Sequence, residues 1–278
     1  MENILAEAKK LAANGVKELI LVAQDTTLYG TDLYGESRLP ELLEALCQID
    51  GLHWIRLLYC YPEHITEELL QVMAHEPKIA KYIDIPLQHA NGDILRAMRR
   101  TGDRESLEKL LTHIRETVPG IVLRTTVMVG FPGEDEAAFT ELCQFIKKMQ
   151  FERLGCFAFS PEEGTVAAKM ENQVPDKVKN QRRDSIMELQ SRISDRYNAA
   201  QVGKTLEVLV ESYDRYAECW FGRSEADAPD IDGKVFFAPP MTADGKRRAI
   251  APGDIVRVRI TDCMDWDLMG ECVDESAE

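Results

Sequence analysis

The sequence predicts a parallel α/β domain followed by a small all-β module, and three observations predict it. Five short apolar runs alternate with helix-period segments over the first two hundred residues. After Gly203 the apolar spacing changes to period two. Polar clusters recur where the apolar runs end, where a parallel sheet gathers its ligands.

Taken in order, Ile4, Leu5, Ala8, Leu11 and Ala12 lie at helical spacing, and Asn14-Gly15 end that helix. Residues 18–23 form a buried strand. Leu39, Leu42, Leu43 and Leu46 mark a helix, residues 54–59 a strand, Leu69, Leu70 and Met73 a short helix, and residues 82–85 a third strand. Two helices follow, at 91–98 and around Leu107, Leu110, Leu111 and Ile114. Residues 121–129 give the fourth strand, Phe139, Leu142, Cys143 and Ile146 a helix, and residues 154–159 the last strand. Strands separated by helices demand parallel pairing with right-handed crossovers, in a doubly wound sheet or a partial barrel. A long helix starts near Pro175 with Ile186, Leu189, Ile193 and Tyr197 on one face. Its other face carries Lys177, Lys179, Arg182, Arg183, Arg192 and Arg196, a pattern that solvent usually covers. Residues 205–210, 217–222 and 255–260 then read as strands, with turn signals at Asp232-Gly233, Asp244-Gly245 and Pro252-Gly253. About five such strands are expected to close into a barrel. The division is placed at 1–200 and 201–278.

Composition narrows the function classes. Hydrophobic residues make up 45% and charged residues 29%, which is globular composition and argues against disorder. No apolar run approaches the roughly 20 residues that span a bilayer, and the start of the chain is acidic, unlike a signal peptide. The chain therefore reads as cytoplasmic. The net charge of −15 disfavours general RNA contact. From Gln201 onward 17 acids stand against 9 bases, a net of −8, which suits a basic partner. The seven cysteines form no CxxC or CxxxCxxC, so no metal site is expected from this chain.

Three polar clusters follow predicted strands: Gln24-Asp25-Thr26-Thr27-Leu28-Tyr29-Gly30, Pro86-Leu87-Gln88-His89-Ala90-Asn91-Gly92, and Gly130-Phe131-Pro132-Gly133-Glu134. Each has a plainer reading, as a turn organised by Asp25, a helix cap at Asn91, or turn glycines. Arg124, inside an apolar strand, needs either a ligand carboxylate or an ion pair, for which Asp84 is suited. His64 and His89 have no companion at a spacing that would make either a general base. No catalytic residue is assigned.

These segments, with Tyr59-Cys60-Tyr61-Pro62, Asp84-Ile85-Pro86-Leu87-Gln88-His89-Ala90 and 124–134, resemble the methylthiotransferase branch of the radical S-adenosylmethionine enzymes. The β module resembles their TRAM domain. The resemblance implies a partial (βα) barrel, TIM-like, that holds S-adenosylmethionine against a 4Fe-4S cluster. Asp25 and His89-Ala90-Asn91 match the members that methylthiolate an aspartate on ribosomal protein S-twelve, rather than those acting on transfer RNA. A transfer RNA methylthiotransferase and a non-catalytic binder of a basic protein are the two alternatives. On this resemblance Gln24, Asp25, Gln88, His89, Arg124, Gly130, Phe131, Pro132 and Gly133 surround the cofactor, Arg124 taking its carboxylate. Glu211, Asp214 and Trp220 are assigned to contact with the ribosomal protein. The family's CxxxCxxC lies on the first barrel strand, and three further cysteines serve a second cluster in an amino-terminal domain. Neither set is in this sequence. The expectation is a fragment that ligates neither cluster and is inactive alone.

Overall fold

The computed structural model describes residues 1–239 and 249–273. The turn expected at Asp244-Gly245 lies outside them.

All five strands form: β1 (Glu18–Leu21), β2 (Trp54–Leu57), β3 (Ile79–Asp84), β4 (Val122–Val129) and β5 (Arg153–Ala158). Every pairing is parallel and the spatial order is the chain order. An order without reversal puts each crossover helix on the same face. That excludes the doubly wound alternative and leaves an open section of a (βα) barrel. Among the described residues β1 pairs only with β2, so its outer edge is free.

The helices of this part are those the apolar spacing predicts: α1 (Glu2–Ala13) ahead of the sheet, and the crossovers α3 (Leu39–Cys47), α4 (Glu67–His75), α5 (Gly92–Ala97), α6 (Arg104–Thr117) and α7 (Glu136–Met149). A four-residue helix, α2 (Thr31–Tyr34), has no periodic signal and was not expected. Capping fixes several starts. The Thr66 hydroxyl accepts from Leu69 N, and Asp103 forms a capping box with Ser106. The outer core joins Leu42, Leu43 and Leu70 of the helices to Ile55, Ile83 and Leu123 of the sheet.

The long helix α8 (Asp176–Ala199) leads to a closed five-stranded barrel: β6 (Thr205–Asp214), β7 (Cys219–Ser224), β8 (Val235–Ala238), β9 (Ile255–Met264) and β10 (Asp267–Cys272). Its core is Val208, Val210, Val235, Phe237, Val258, Ile260 and Leu268. Crowding at the β6–β7 pairing requires Gly222, because a Cβ there would lie 2.1 Å from the Leu209 carbonyl oxygen.

The barrel is docked on the inner face of the sheet. Arg56 Nε donates to Glu18 at 2.8 Å, and Arg223 from β7 reaches the other oxygen of that carboxylate at 2.6 Å. Arg56 Nη1 donates to the Glu225 carbonyl at 2.8 Å. The Tyr82 hydroxyl donates to Asp232 at 2.6 Å, and Arg153 pairs with Asp227 at 2.6 Å. Glu18 and Arg153 open their strands, so the barrel sits against the amino-terminal end of the sheet, opposite the carboxyl-terminal rim.

Candidate active-site rim

At the first strand end the chain turns through Gln24, which is exposed, into Asp25. Asp25 Oδ1 accepts from Thr27 N at 3.0 Å and caps a single 3₁₀ turn. That satisfies the plain reading of Asp25 as a turn organiser. Its second oxygen, however, lies 2.7 Å from His64 Nδ1. Asp25 side-chain exposure is 9% against 37% for His64. The pair orients the imidazole and leaves its Nε2 without a hydrogen-bond partner among the described residues. Sequence reasoning missed this companion, because the two residues lie 39 positions apart and meet only when β1 and β2 pair. Thr26 stitches the same loops together, its hydroxyl donating to the Leu58 carbonyl at 2.6 Å.

The loop after β3 folds against β4. Gln88 adopts φ of +70° and exchanges backbone hydrogen bonds with the β4 strand, donating to the Thr126 carbonyl at 2.9 Å and accepting from Met128 N at 2.7 Å. Its side chain is half-buried at the rim. His89 points the other way and is fully buried. Its Nδ1 accepts from Asn91 N at 2.9 Å, which places the ring proton on Nε2. That nitrogen lies 3.4 Å from Glu134 Oε2, near enough for electrostatic attraction but not aligned for a hydrogen bond. Asn91 caps α5 by accepting from Asp93 N and Ile94 N, as its plainer reading holds.

After β4 the chain turns at Gly130, with φ of +74°. A Cβ on Gly130 would lie 2.3 Å from Lys179 Cγ, so the position requires glycine for space as well as conformation. Phe131 and Pro132 are buried, Phe131 packing edge-on against Phe159 at 5.1 Å. Only backbone and the exposed Gly133 of this turn face outward. Glu134 is wholly buried. It accepts from Gly130 N at 2.9 Å and from Arg182 Nη1 of α8 at 2.7 Å. Lys179 and Arg182 are therefore inward-facing, unlike the solvated face expected for α8, because the helix packs over the turn and Glu134 supplies a buried counter-charge.

Arg124 stands apart. It precedes Gly130 by six strand residues, roughly 20 Å along β4. Its Nη1 donates to Asp84 at 2.6 Å, and Nε lies 3.7 Å from Asp232 of the barrel. Burial alone would lower its pKa, but the charge of Asp84 and its neighbours holds it above the ordinary arginine value. The structural ion pair is thus realised. Gln24, Asp25, Gln88, Gly130 and Gly133 follow the carboxyl ends of β1, β3 and β4 along one rim of the sheet.

The residues assigned to protein contact scatter. Glu211 pairs with Arg223 at 2.5 Å at the junction between the barrel and the sheet. Asp214 is half-buried at a hairpin turn, accepting from Tyr216 N and Ala217 N. That holds its carboxyl below the usual range. Trp220 is half-buried, edge-on to Tyr213 at 5.4 Å.

Among the described residues no three His, Cys, Asp or Glu side chains are grouped to hold a metal ion. Burial pushes the Cys60 thiol well up and that of Cys156 to about 12. Such thiols are poor metal ligands. Among the described residues, these side chains do not fit an iron–sulfur cluster. The rim does fit an adenosyl ligand in kind, offering strand-end backbone and polar side chains.

A one-directional parallel sheet with its polar groups at the carboxyl-terminal rim defines a class, and sequence comparison agrees. The radical SAM superfamily matches residues 1–146, over half of the chain, and the TRAM domain family matches residues 202–273. The chain belongs to the radical SAM superfamily. It is 48% identical over 272 residues to the ribosomal protein uS12 methylthiotransferase RimO of Desulfitobacterium hafniense, covering 98% of this chain and 59% of that protein. The same enzyme of Pelotomaculum thermopropionicum is 50% identical over 274 residues, covering 98% and 60%. The chain thus spans about 60% of the length of these relatives. Among solved structures, coproporphyrinogen III oxidase (HemN) from Escherichia coli, a radical SAM enzyme, superposes with a TM-score of 0.52 over 69% of this chain and 46% of its own, at 15% identity. That likeness shows the fold.

Proposed function

We propose that this chain is the cofactor-barrel and TRAM portion of a radical S-adenosylmethionine methylthiotransferase that modifies an aspartate of ribosomal protein uS12. The observation that carries the reading is its 48% identity, over nearly its whole length, to proteins of that name. Bound S-adenosylmethionine would supply, on reductive cleavage, the hydrogen-abstracting radical. Gln24, Asp25, Gln88 and the backbone from Gly130 to Gly133 would hold it at the rim, and His89 would support them from beneath. Their work is orientation and exclusion of water. The acidic β-barrel would attract a lysine- and arginine-rich protein, with the half-buried Asp214 and Trp220 among its contacts. This reading places the protein in the cytoplasm; no helix among the described residues is long and apolar enough to cross a membrane.

The test is complementation. A strain lacking its uS12 methylthiotransferase receives the gene that encodes this chain, and uS12 is digested and weighed. A methylthio mass gain on one aspartate supports the reading. An unmodified uS12 together with a newly methylthiolated transfer RNA would replace it. The 278 residues alone, reconstituted anaerobically with iron and sulfide, are expected to bind no stoichiometric cluster and to turn nothing over.

A further inference from the structure

Beneath the rim turn lies a buried charge cluster whose cation comes from a different part of the chain. Glu134 has no exposed side-chain surface and meets three groups. Arg182 Nη1 donates to Glu134 Oε1 at 2.7 Å and to the Glu134 carbonyl at 2.9 Å. Gly130 N donates to Oε2 at 2.9 Å, and His89 Nε2 stands 3.4 Å from the same oxygen. One carboxylate therefore fastens the backbone at the start of the turn and faces the imidazole of the loop after β3. Arg182 supplies the counter-charge that a carboxylate needs in that dry position.

Arg182 sits in the second turn of α8, 48 residues beyond Glu134, and reaches no rim surface itself. Its guanidinium also lies over the Phe139 ring at 5.1 Å, which fixes its plane. Lys179, one turn earlier, fills the space a Gly130 side chain would need. The helix that leads to the β-barrel thus forms the back wall of the turn.

We propose that Arg182 is a positioning residue for the cofactor: through Glu134 it sets the backbone of the 130–133 turn, and through His89 the height of the Gln88 loop. The inference rests on the reading above that this rim holds S-adenosylmethionine. Removing the guanidinium leaves a buried carboxylate with no cation. The carboxylate must then swing outward toward water, which weakens its acceptance from Gly130 N.

The experiment compares Arg182→Met, Arg182→Lys and Glu134→Gln by amide hydrogen exchange on the 278-residue chain. It also measures S-adenosylmethionine dissociation constants on the cluster-loaded methylthiotransferase to which this reading assigns the chain. In Arg182→Met, exchange at 130–134 and 88–90 should rise at least about tenfold while strand amides of β2 and β3 hold. Cofactor affinity should fall by about tenfold or more, and Arg182→Lys, which keeps the positive charge but not the planar fork, should recover part of it. Glu134→Gln, nearly isosteric, should loosen Gly130 without loss of the folded baseline. Unchanged exchange at Gly130 in both Arg182→Met and Glu134→Gln overturns the clamp. Raised exchange with unaltered affinity overturns the positioning role. If the unaltered, cluster-loaded protein binds no S-adenosylmethionine, the cofactor reading of the rim falls instead, and the exchange data still decide the clamp.

Discussion

The two faces of the five-stranded sheet are held by different forces. On the outer face, Leu42, Leu43, Leu70, Ile83 and Leu123 pack without a polar atom among them. On the inner face, Arg56, Tyr82, Arg124 and Arg153 stand in the strands and are answered by Glu18, Asp84, Asp227 and Asp232. Apolar packing tolerates neighbours of many shapes, whereas a buried charge tolerates only its partner. The contrast indicates that the outer face makes the sheet, while the inner face selects one seat for the β-barrel.

Removing everything after Gly203 tests that contrast most severely. It exposes Tyr82 and Val122 and strips Arg56 and Arg153 of their barrel partners. The remaining α/β part should lose roughly 10 °C or more in thermal midpoint, or aggregate through the free β1 edge. A midpoint unchanged in calorimetry would mean that the barrel is a tethered passenger. Next in size is Asp227→Ala, which leaves Arg153, only 4% exposed, without its carboxylate. Breaking such a pair should cost about 4 kcal/mol, while the double replacement Asp227→Ala with Arg153→Met should cost less than the single change. Equal losses in urea unfolding would show that charge pairing is not what holds the junction. On the outer face Leu43→Ala should cost about 3 kcal/mol, and a partner substitution on the barrel should add to it independently. Coupling between them would erase the distinction between the faces.

The smallest effect concerns pH. Burial raises the carboxyl pKa of Asp232, against the opposing hydrogen bond from Tyr82. A folded value above the unfolded one means that the folded state binds this proton more tightly. Its contribution to stability is present below the unfolded value, about 3.9, and is lost as pH rises through the folded one. Asp232→Asn should therefore flatten the fall in thermal midpoint across that mildly acidic range. A parallel displacement of the whole curve would count against this account.

The sequence by itself placed all five strands of the sheet, because apolar periodicity is a local property, but only three of the barrel's five, leaving β8 and β10 unplaced. It also located the polar segments of the rim and the need of Arg124 for a counter-charge, which Asp84 meets. Strand ends were placed less well: β3 begins three residues before the Tyr82 start, at Ile79, where Lys81 interrupts the apolar run. Which loop residue turns outward was settled by packing between distant segments. His89, Phe131 and Pro132 carry the composition of a binding loop yet face inward, and Glu211 is spent on Arg223. Likewise, Asp25 meets His64 and Glu134 meets Arg182 across dozens of residues. A side chain's type limits which partners would satisfy it. Which partner arrives is fixed by strand pairing and helix packing, and those contacts form between segments that carry no mark of one another in the sequence.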